Sequence, residues 1–212
     1  MRIYKVFNPF AVYYFLKRKA IMKKFRKVGC NFSFDPKSTI VTPQLIEIGD
    51  NVFIGESAHI SAELKIGNNV MFGPRPVILG GDHIFAVRGR SLRFLRPKNS
   101  ENSLPIFIDD EVWCGACVMI LKGVKIGMGS VIGAGSVVTK EIPPYVVSVG
   151  NPCRPIKKIF HDDTLVSHLI ALGKEEKAAN RIKNLRTTML KQLHLDNLAT
   201  IDNTAEYWEF KK

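Results

Sequence analysis

Aliphatic residues recur at every sixth position through the middle of this chain. They run Ile48, Ile54, Ile60, Ile66, Phe72, Ile78 and then, in the same phase, Ile108, Cys114, Ile120, Ile126, Ile132 and Val138. Ten of these twelve are Ile or Val, and seven of the twelve residues that follow them are Gly: Gly49, Gly55, Gly67, Gly73, Gly115, Gly127 and Gly133. A six-residue period cannot be helical, because turns of 3.6 residues would sweep those side chains around every face. It suits short β-strands. Six residues make one flat side and one corner, the aliphatic residue points inward, and the Gly is expected to supply backbone angles that a Cβ would forbid. Chance alternation in a β-sandwich does not hold one phase from 48 to 138.

Such a period predicts an all-β core, a parallel β-helix of about five coils, each with three six-residue sides and stacked at about 4.8 Å. Ile54, Ile66, Ile120, Ile126 and Ile132 are expected to point inward. The repeat starts weakly at Val28, Phe34 and Ile40, slips by two residues before Ile48, and is expected to end near Pro143-Pro144, where proline cannot continue a ladder. Residues 84 to 104 interrupt it, and a long stretch without repeat inside a solenoid is expected to be a functional loop. The chain therefore divides into a basic N-terminal segment (1 to 27), a repeat domain (28 to 158) and a C-terminal helical extension (159 to 212). Residues 9 to 27 read as a basic amphipathic helix. Residues 162 to 195 read as helical, opening with Asp162-Asp163 as caps.

The formal net charge of +12 is concentrated at one end. Residues 1 to 30 carry nine Lys or Arg and no acid, while residues 31 to 150 carry eleven of each sign. A neutral body argues against a nucleic-acid-reading protein; a local basic segment beside aromatic residues fits an anionic surface. The uncharged stretch from Val6 to Leu16 is 11 residues, against about 20 for a spanning helix. It has no small-residue cleavage site and does not read as a secretory signal. Phe7, Phe10, Tyr13, Tyr14, Phe15 and Leu16, followed by Lys17, Arg18, Lys19, Lys23, Lys24, Arg26 and Lys27, leave two compatible readings: an interfacial membrane helix, or a cap over the open end of the β-helix. Cys30, Cys114, Cys117 and Cys153 are too few and too unevenly spaced for a disulfide framework, so free thiols and a cytoplasmic location are expected, and the interfacial-helix reading would add peripheral attachment to the inner face of the membrane.

Residues 108 to 157, IDDEVWCGACVMILKGVKIGMGSVIGAGSVVTKEIPPYVVSVGNPCRPIK, resemble the signature half of the hexapeptide-repeat acyltransferases, near the maltose, galactoside and capsular-polysaccharide O-acetyltransferases. The resemblance extends over 28 to 158 and leaves out both flanks. It implies a left-handed coil, a homotrimer with active sites between neighbouring subunits, acetyl-CoA as acyl donor, and a saccharide hydroxyl as acceptor, in capsule, lipopolysaccharide or other glycan assembly. Moving an acetyl group from a thioester to a hydroxyl needs a base for the alcohol proton, donors for the developing oxyanion, and a groove that aligns both substrates. His83, in Gly80-Gly81-Asp82-His83, lies where the repeat gives way to the loop and matches the family's catalytic histidine. Histidine is the residue type that can take up a proton near neutral pH.

The same resemblance assigns Trp113, Ala116, Ala134, Thr139 and Lys140 to the acetyl-CoA thioester and pantetheine, and Arg154 and Lys157 to its phosphates. Asp82, Ser61, Arg88 and Arg90 are assigned to the acceptor. Two departures from the maltose-type enzymes stand out. The loop is longer and carries Arg88, Arg90, Arg93, Arg96 and Lys98, which suits an acidic or pyrophosphate-linked acceptor. Ser61 falls near a place where similar sugar enzymes use Asn.

Cys114-Gly-Ala-Cys117 has redox-motif spacing, but Cys114 occupies an inward slot and is expected to pack as a small hydrophobe. His59 and His83 are the only histidines within the repeat, too few for the three-histidine metal site of hexapeptide-fold carbonic anhydrases, so no metal is expected. Rival functions are an acetyltransferase for an antibiotic, an amino sugar or serine, and a non-catalytic trimeric scaffold. Packing alone requires neither His83 nor Trp113, which weighs against the scaffold.

Overall fold

A computed structural model describes residues 9–95 and 103–201 of the 212-residue chain. Helix α1 (Pro9–Met22) leads into a solenoid of five three-sided coils. The first holds β1 (Lys27–Val28), β2 (Ser33–Phe34) and β3 (Thr39–Ile40), and the second β4 (Ile46–Ile48), β5 (Phe53–Ile54) and β6 (His59–Ser61). The third holds β7 (Leu64–Ile66), β8 (Met71–Phe72) and β9 (Val77–Leu79); the fourth β10 (Ile106–Ile108), β11 (Trp113–Cys114) and β12 (Met119–Ile120). The fifth holds β13 (Lys125–Ile126), β14 (Val131–Ile132) and β15 (Val137–Val138). The first, second and third strands of successive coils stack in parallel as face A, face B and face C.

The period is the core. Ile54, Ile66, Ile120, Ile126 and Ile132 are each at most 2% exposed, and residues two positions before the periodic ones, such as Val52, Leu64, Val118 and Val124, are buried beside them in one continuous column. Cys114 takes one of those slots and is buried, which holds its thiol far above the ordinary range. All four cysteines are free. The two-residue slip before Ile48 is a 3-10 turn, Pro43–Leu45, between β3 and β4.

The glycines serve a purpose different from the expected one. Gly55, Gly73 and Gly115 do not have left-handed angles; a Cβ on Gly73 would lie 2.7 Å from the Ala116 nitrogen one coil above, and one on Gly115 would lie 2.7 Å from the Ala134 nitrogen. Close stacking of backbones, rather than an unusual φ, excludes a side chain there. Left-handed angles fall instead on corner residues such as Asn31, Asn51, Asn69 and Glu111. Their side chains offset that strain with a ladder: Asn31 Nδ2 donates to Asn51 Oδ1 and Asn51 Nδ2 to Asn69 Oδ1, both at 2.9 Å, and Asn69 Nδ2 donates to Glu111.

Three further expectations need correction. The ladder does not end at Pro143-Pro144: both prolines sit at a corner, Ile142 bridges Ile126, and β16 (Val146–Val149) adds a sixth parallel strand to face B before β17 (Arg154–Lys158) turns back antiparallel. The C-terminal helix is two helices, α2 (Asp162–Ala171) and α3 (Glu176–Gln192), parted at Gly173, whose φ of +79° ends the first. Asp162 sits in the first turn of α2 and accepts a hydrogen bond from the fully buried Arg186 of α3, so it ties the two helices together. Finally, α1 stops at Met22 with no buried residue, and its polarity changes along its length, from Phe10–Leu16 to Lys17–Lys19, rather than around its circumference. Both open ends of the core are covered, by Ile21, Met22 and Phe25 below and by Leu190, Leu195 and Leu198 above.

Candidate active site

The corner where face C passes into face A carries the candidate base. After β9 the chain enters Gly80, whose N–H donates to Ser61 O at 2.8 Å and whose carbonyl accepts from Leu104 N (2.9 Å) and Ser103 Oγ (2.8 Å). A Cβ on Gly80 would lie 2.7 Å from Ala62 Cα. Gly81 bridges Ser103 antiparallel, so the loop is closed at its base and Asp82-His83 is presented outward from a fixed stem. His83 is exposed and lines a cleft of about 180 Å³ with Asp82, Ile84, Phe85, Ala86 and Lys122. Lys122 Nζ lies 2.7 Å from Asp82 Oδ2. Lys122 was not foreseen, though the repeat held the signal: it stands two residues past Ile120 as Lys140 stands two past Val138, so both belong to this corner.

One coil below, Ser61 lines an adjoining cleft of about 220 Å³ with Thr42, Glu63 and Ser103. Ser61 is in register with Leu79 of β9. Arg88, Arg90 and Arg93 are exposed in the loop, as are Phe85 and Phe94; Arg96 and Lys98 lie outside the described residues. Thr139 and Lys140 follow β15 at the same corner, higher up. Lys140 shares a small cleft of about 50 Å³ with Arg154, Cys153 and Leu193. Arg154 Nη1 donates to Cys153 O at 2.8 Å, and Lys157 is exposed on β17 opposite Val147.

The other assigned residues lie elsewhere. Trp113 stands on the outer surface of face B, 49% exposed, in register with Met71 below and Val131 above. Ala116 and Ala134 stack at the corner between faces B and C, where Gly135 N donates to Ala116 O at 2.8 Å. In a three-sided solenoid the C-to-A edge is opposite face B. A single chain therefore brings together His83, Asp82, Lys122, Thr139 and Lys140 along the C-to-A edge, and places Trp113 on face B with Ala116 and Ala134 at its corner with face C, so it does not join the two groups. A cavity of about 610 Å³ on face A, between Phe107, Asp109, Lys125 and Ile182, holds none of the residues assigned from sequence. Among the described residues no group of three or more His, Cys, Asp or Glu is placed to hold a metal ion.

Comparison with known proteins agrees with this architecture. A family model for the hexapeptide repeat of succinyl-transferase matches residues 105–140. The galactoside O-acetyltransferase of Escherichia coli is 38% identical over 157 residues, 69% of this chain and 71% of that one. The chain spans between 65% and 71% of the length of the curated relatives it matches first. A maltose O-acetyltransferase from Clostridium difficile superposes with a TM-score of 0.58 at 37% identity, over 68% of this chain and 75% of that one. A hexapeptide-repeat acetyltransferase of Vibrio cholerae, solved with acetyl coenzyme A, superposes with a TM-score of 0.59 at 30% identity, over 74% and 81%.

Proposed function

Since the chain belongs to the hexapeptide-repeat acetyltransferases, we propose that it moves an acetyl group from acetyl-CoA to a hydroxyl of a saccharide, with His83 as general base. The observation that carries this reading is the exposed His83 on a stem pinned through Gly80 and Gly81, in a cleft that adjoins a hydroxyl-lined one at Ser61, Thr42 and Ser103.

His83 takes the proton of the acceptor hydroxyl as that oxygen attacks the thioester carbonyl, and returns it to the departing thiolate sulfur, so no acyl-enzyme is needed. The Asp82–Lys122 pair at 2.7 Å steadies the floor of the same cleft. Exposed Arg154 and Lys157 are of the type that holds phosphates, and the exposed ring of Trp113 offers a flat apolar surface for the acetyl-CoA arm that Lys140 is assigned to follow. Bound acetyl-CoA supplies the activated acetyl group.

The separation of His83 from Trp113 supports a homotrimer in which the C-to-A edge of one subunit meets face B of the next. Of the two faces flanking that edge, C suits the three-fold axis better, because its outward row, His59, Val77, Met119 and Val137, is mostly apolar and half-buried. Three exposed loop arginines favour an acidic or phosphate-linked saccharide, as in capsule or lipopolysaccharide assembly. Free thiols and an acetyl-CoA donor fit the cytoplasm.

The test is release of free thiol from acetyl-CoA across a panel of neutral, acidic and nucleotide-linked saccharides. Acceptor-dependent thiol release that His83→Ala abolishes supports the reading. Release that is equal with and without every acceptor, or turnover that survives His83→Ala, overturns it.

A further inference from the structure

The N-terminal segment is more exposed than folding explains. Its second half is committed to the core: Arg18 donates to Phe32 O at 3.1 Å and lies over the Phe34 ring, Ile21 and Met22 pack on the lowest coil, and Phe25 meets Phe32 and Phe34 edge-on with centroids 5.7 and 6.2 Å apart. Those contacts cap the open ladder and hold α1 to the solenoid. Its first two turns meet the solenoid through Tyr14, half-buried with the Lys37 ammonium 5.6 Å from its ring centre, and turn their other large side chains outward. Phe10, Val12, Tyr13, Phe15 and Leu16 are between 41% and 71% exposed, and no residue of α1 is buried. Immediately beyond them come Lys17, Lys19, Lys23, Lys24 and Lys27, with no acid anywhere in residues 1 to 30. The two sets meet at Lys19, whose ammonium sits 4.6 Å from the centre of the Phe15 ring.

We infer that α1 is a docking arm for an anionic lipid bilayer: Phe10 to Leu16 enter the interfacial layer while the lysines behind them engage headgroups. An interfacial segment needs apolar area and cations together, and here they are arranged end to end, so the helix enters obliquely from its N-terminal tip. The described helix is not long or apolar enough to span, which leaves peripheral attachment as the mode. Charge selects this occupant over a second copy of the chain, because an isologous contact between two such arms would set lysine against lysine. Tyrosine and phenylalanine beside cations suit the boundary between headgroup and acyl chain. This attachment is independent of the chemistry at His83.

Sedimentation of the full-length protein with vesicles tests it. Binding to phosphatidylcholine containing about one-third phosphatidylglycerol is expected at low salt and is expected to collapse near 0.5 M salt, where the screening length shrinks to about 4 Å. Lys17→Gln, Lys19→Gln and Lys23→Gln together should weaken partitioning by about fivefold per lysine. Phe15→Ser with Leu16→Ser should weaken it at every salt concentration. Both variants should keep the wild-type circular dichroism and wild-type thiol release with a soluble acceptor. Equal binding to neutral and anionic vesicles, or binding that neither variant weakens, overturns the proposal. If the protein ignores vesicles and the Phe15→Ser, Leu16→Ser variant instead lowers its mass by light scattering, the arm is a contact between copies and the proposal fails.

Discussion

Trp113 and His83 are both assigned to one reaction, yet they are built in opposite ways. Trp113 occupies a ladder position whose neighbours, Met71 below and Val131 above, are set by backbone pairing in every coil. His83 stands beyond the ladder, three residues past Gly80, in a loop whose described part holds only a short 3-10 turn, Leu92–Phe94. Ala116 and Ala134, assigned to the donor, share the ladder's regularity. Arg88 and Arg90, assigned to the acceptor, share the loop's exposure. If these assignments hold, Trp113, Ala116 and Ala134 would meet the acyl donor at positions that folding already fixes, and the acceptor would be left to a loop that can vary without cost to the core.

The sharpest test of that division is His83→Ala. It should lower kcat by about 10² to 10⁴-fold, about 3 to 5 kcal/mol, while losing an exposed side chain should change stability by no more than about 0.5 kcal/mol. Steady-state kinetics and thermal melting on the same preparation check both halves. The mirror experiment is Ile120→Ala on β12, a fully buried ladder residue. It should cost about 2 to 5 kcal/mol of stability through lost burial and an unfilled cavity, with kcat per folded molecule nearly unchanged below the transition. If Ile120→Ala abolished catalysis in fully folded protein, or His83→Ala unfolded the chain, core and site would not be separable in this way.

What could be read from the sequence follows the same division. The inward column from Ile48 to Val138 was legible because it has one period and one cause, burial on a two-sided strand. The recurrence of Gly was legible too, but its cause was not. Whether a glycine is required by its own φ or by the backbone stacked on it depends on the coil above, as Gly73 beneath Ala116 illustrates. The strand after Pro143-Pro144 was missed because proline forbids a ladder bond only where its nitrogen would donate one, and at a corner it does not. Lys122 was missed because its meaning is its stacking position beside Asp82, not its local sequence. The split of His83 from Trp113 between opposite parts of the prism was invisible until the faces were assigned.

A smaller effect tests the donor side. Arg154 and Lys157 are both exposed on β17. Bound phosphate would contact them equally in ground and transition states, so Arg154→Ala with Lys157→Ala should raise the Michaelis constant for acetyl-CoA by about tenfold and leave kcat within about twofold. Initial rates across acetyl-CoA concentrations separate the two constants. A fall in kcat at unchanged KM would move these residues out of nucleotide binding and toward the reacting atoms.

The smallest expected effect concerns a residue that is off the period yet buried, and so falls between the two classes. Tyr145 follows the corner prolines, has a left-handed φ of 53°, packs its ring over Gly129, and has a buried hydroxyl without a hydrogen-bond partner among the described residues. Burial first, then the nearby Glu111 and Asp110 carboxylates, push its phenol up to about 12. An unfolded tyrosine ionises near pH 10. Between about pH 10 and 12 the unfolded chain therefore gives up a proton that the native state retains, and stability falls as pH rises through that window. Tyr145→Phe removes the ionisation and the uncompensated burial of a hydroxyl together. It should leave stability unchanged or about 1 kcal/mol higher at neutral pH, and should remove Tyr145's contribution to the alkaline loss, as denaturant melts at pH 8 and pH 11 would register. Activity should not change, because Tyr145 is buried away from solvent, unlike the exposed His83 to which the proposed chemistry is assigned. A Tyr145→Phe protein with wild-type stability and a large loss of turnover would show that burial, too, can hide a catalytic group, and the contrast between ladder and loop would have to be redrawn.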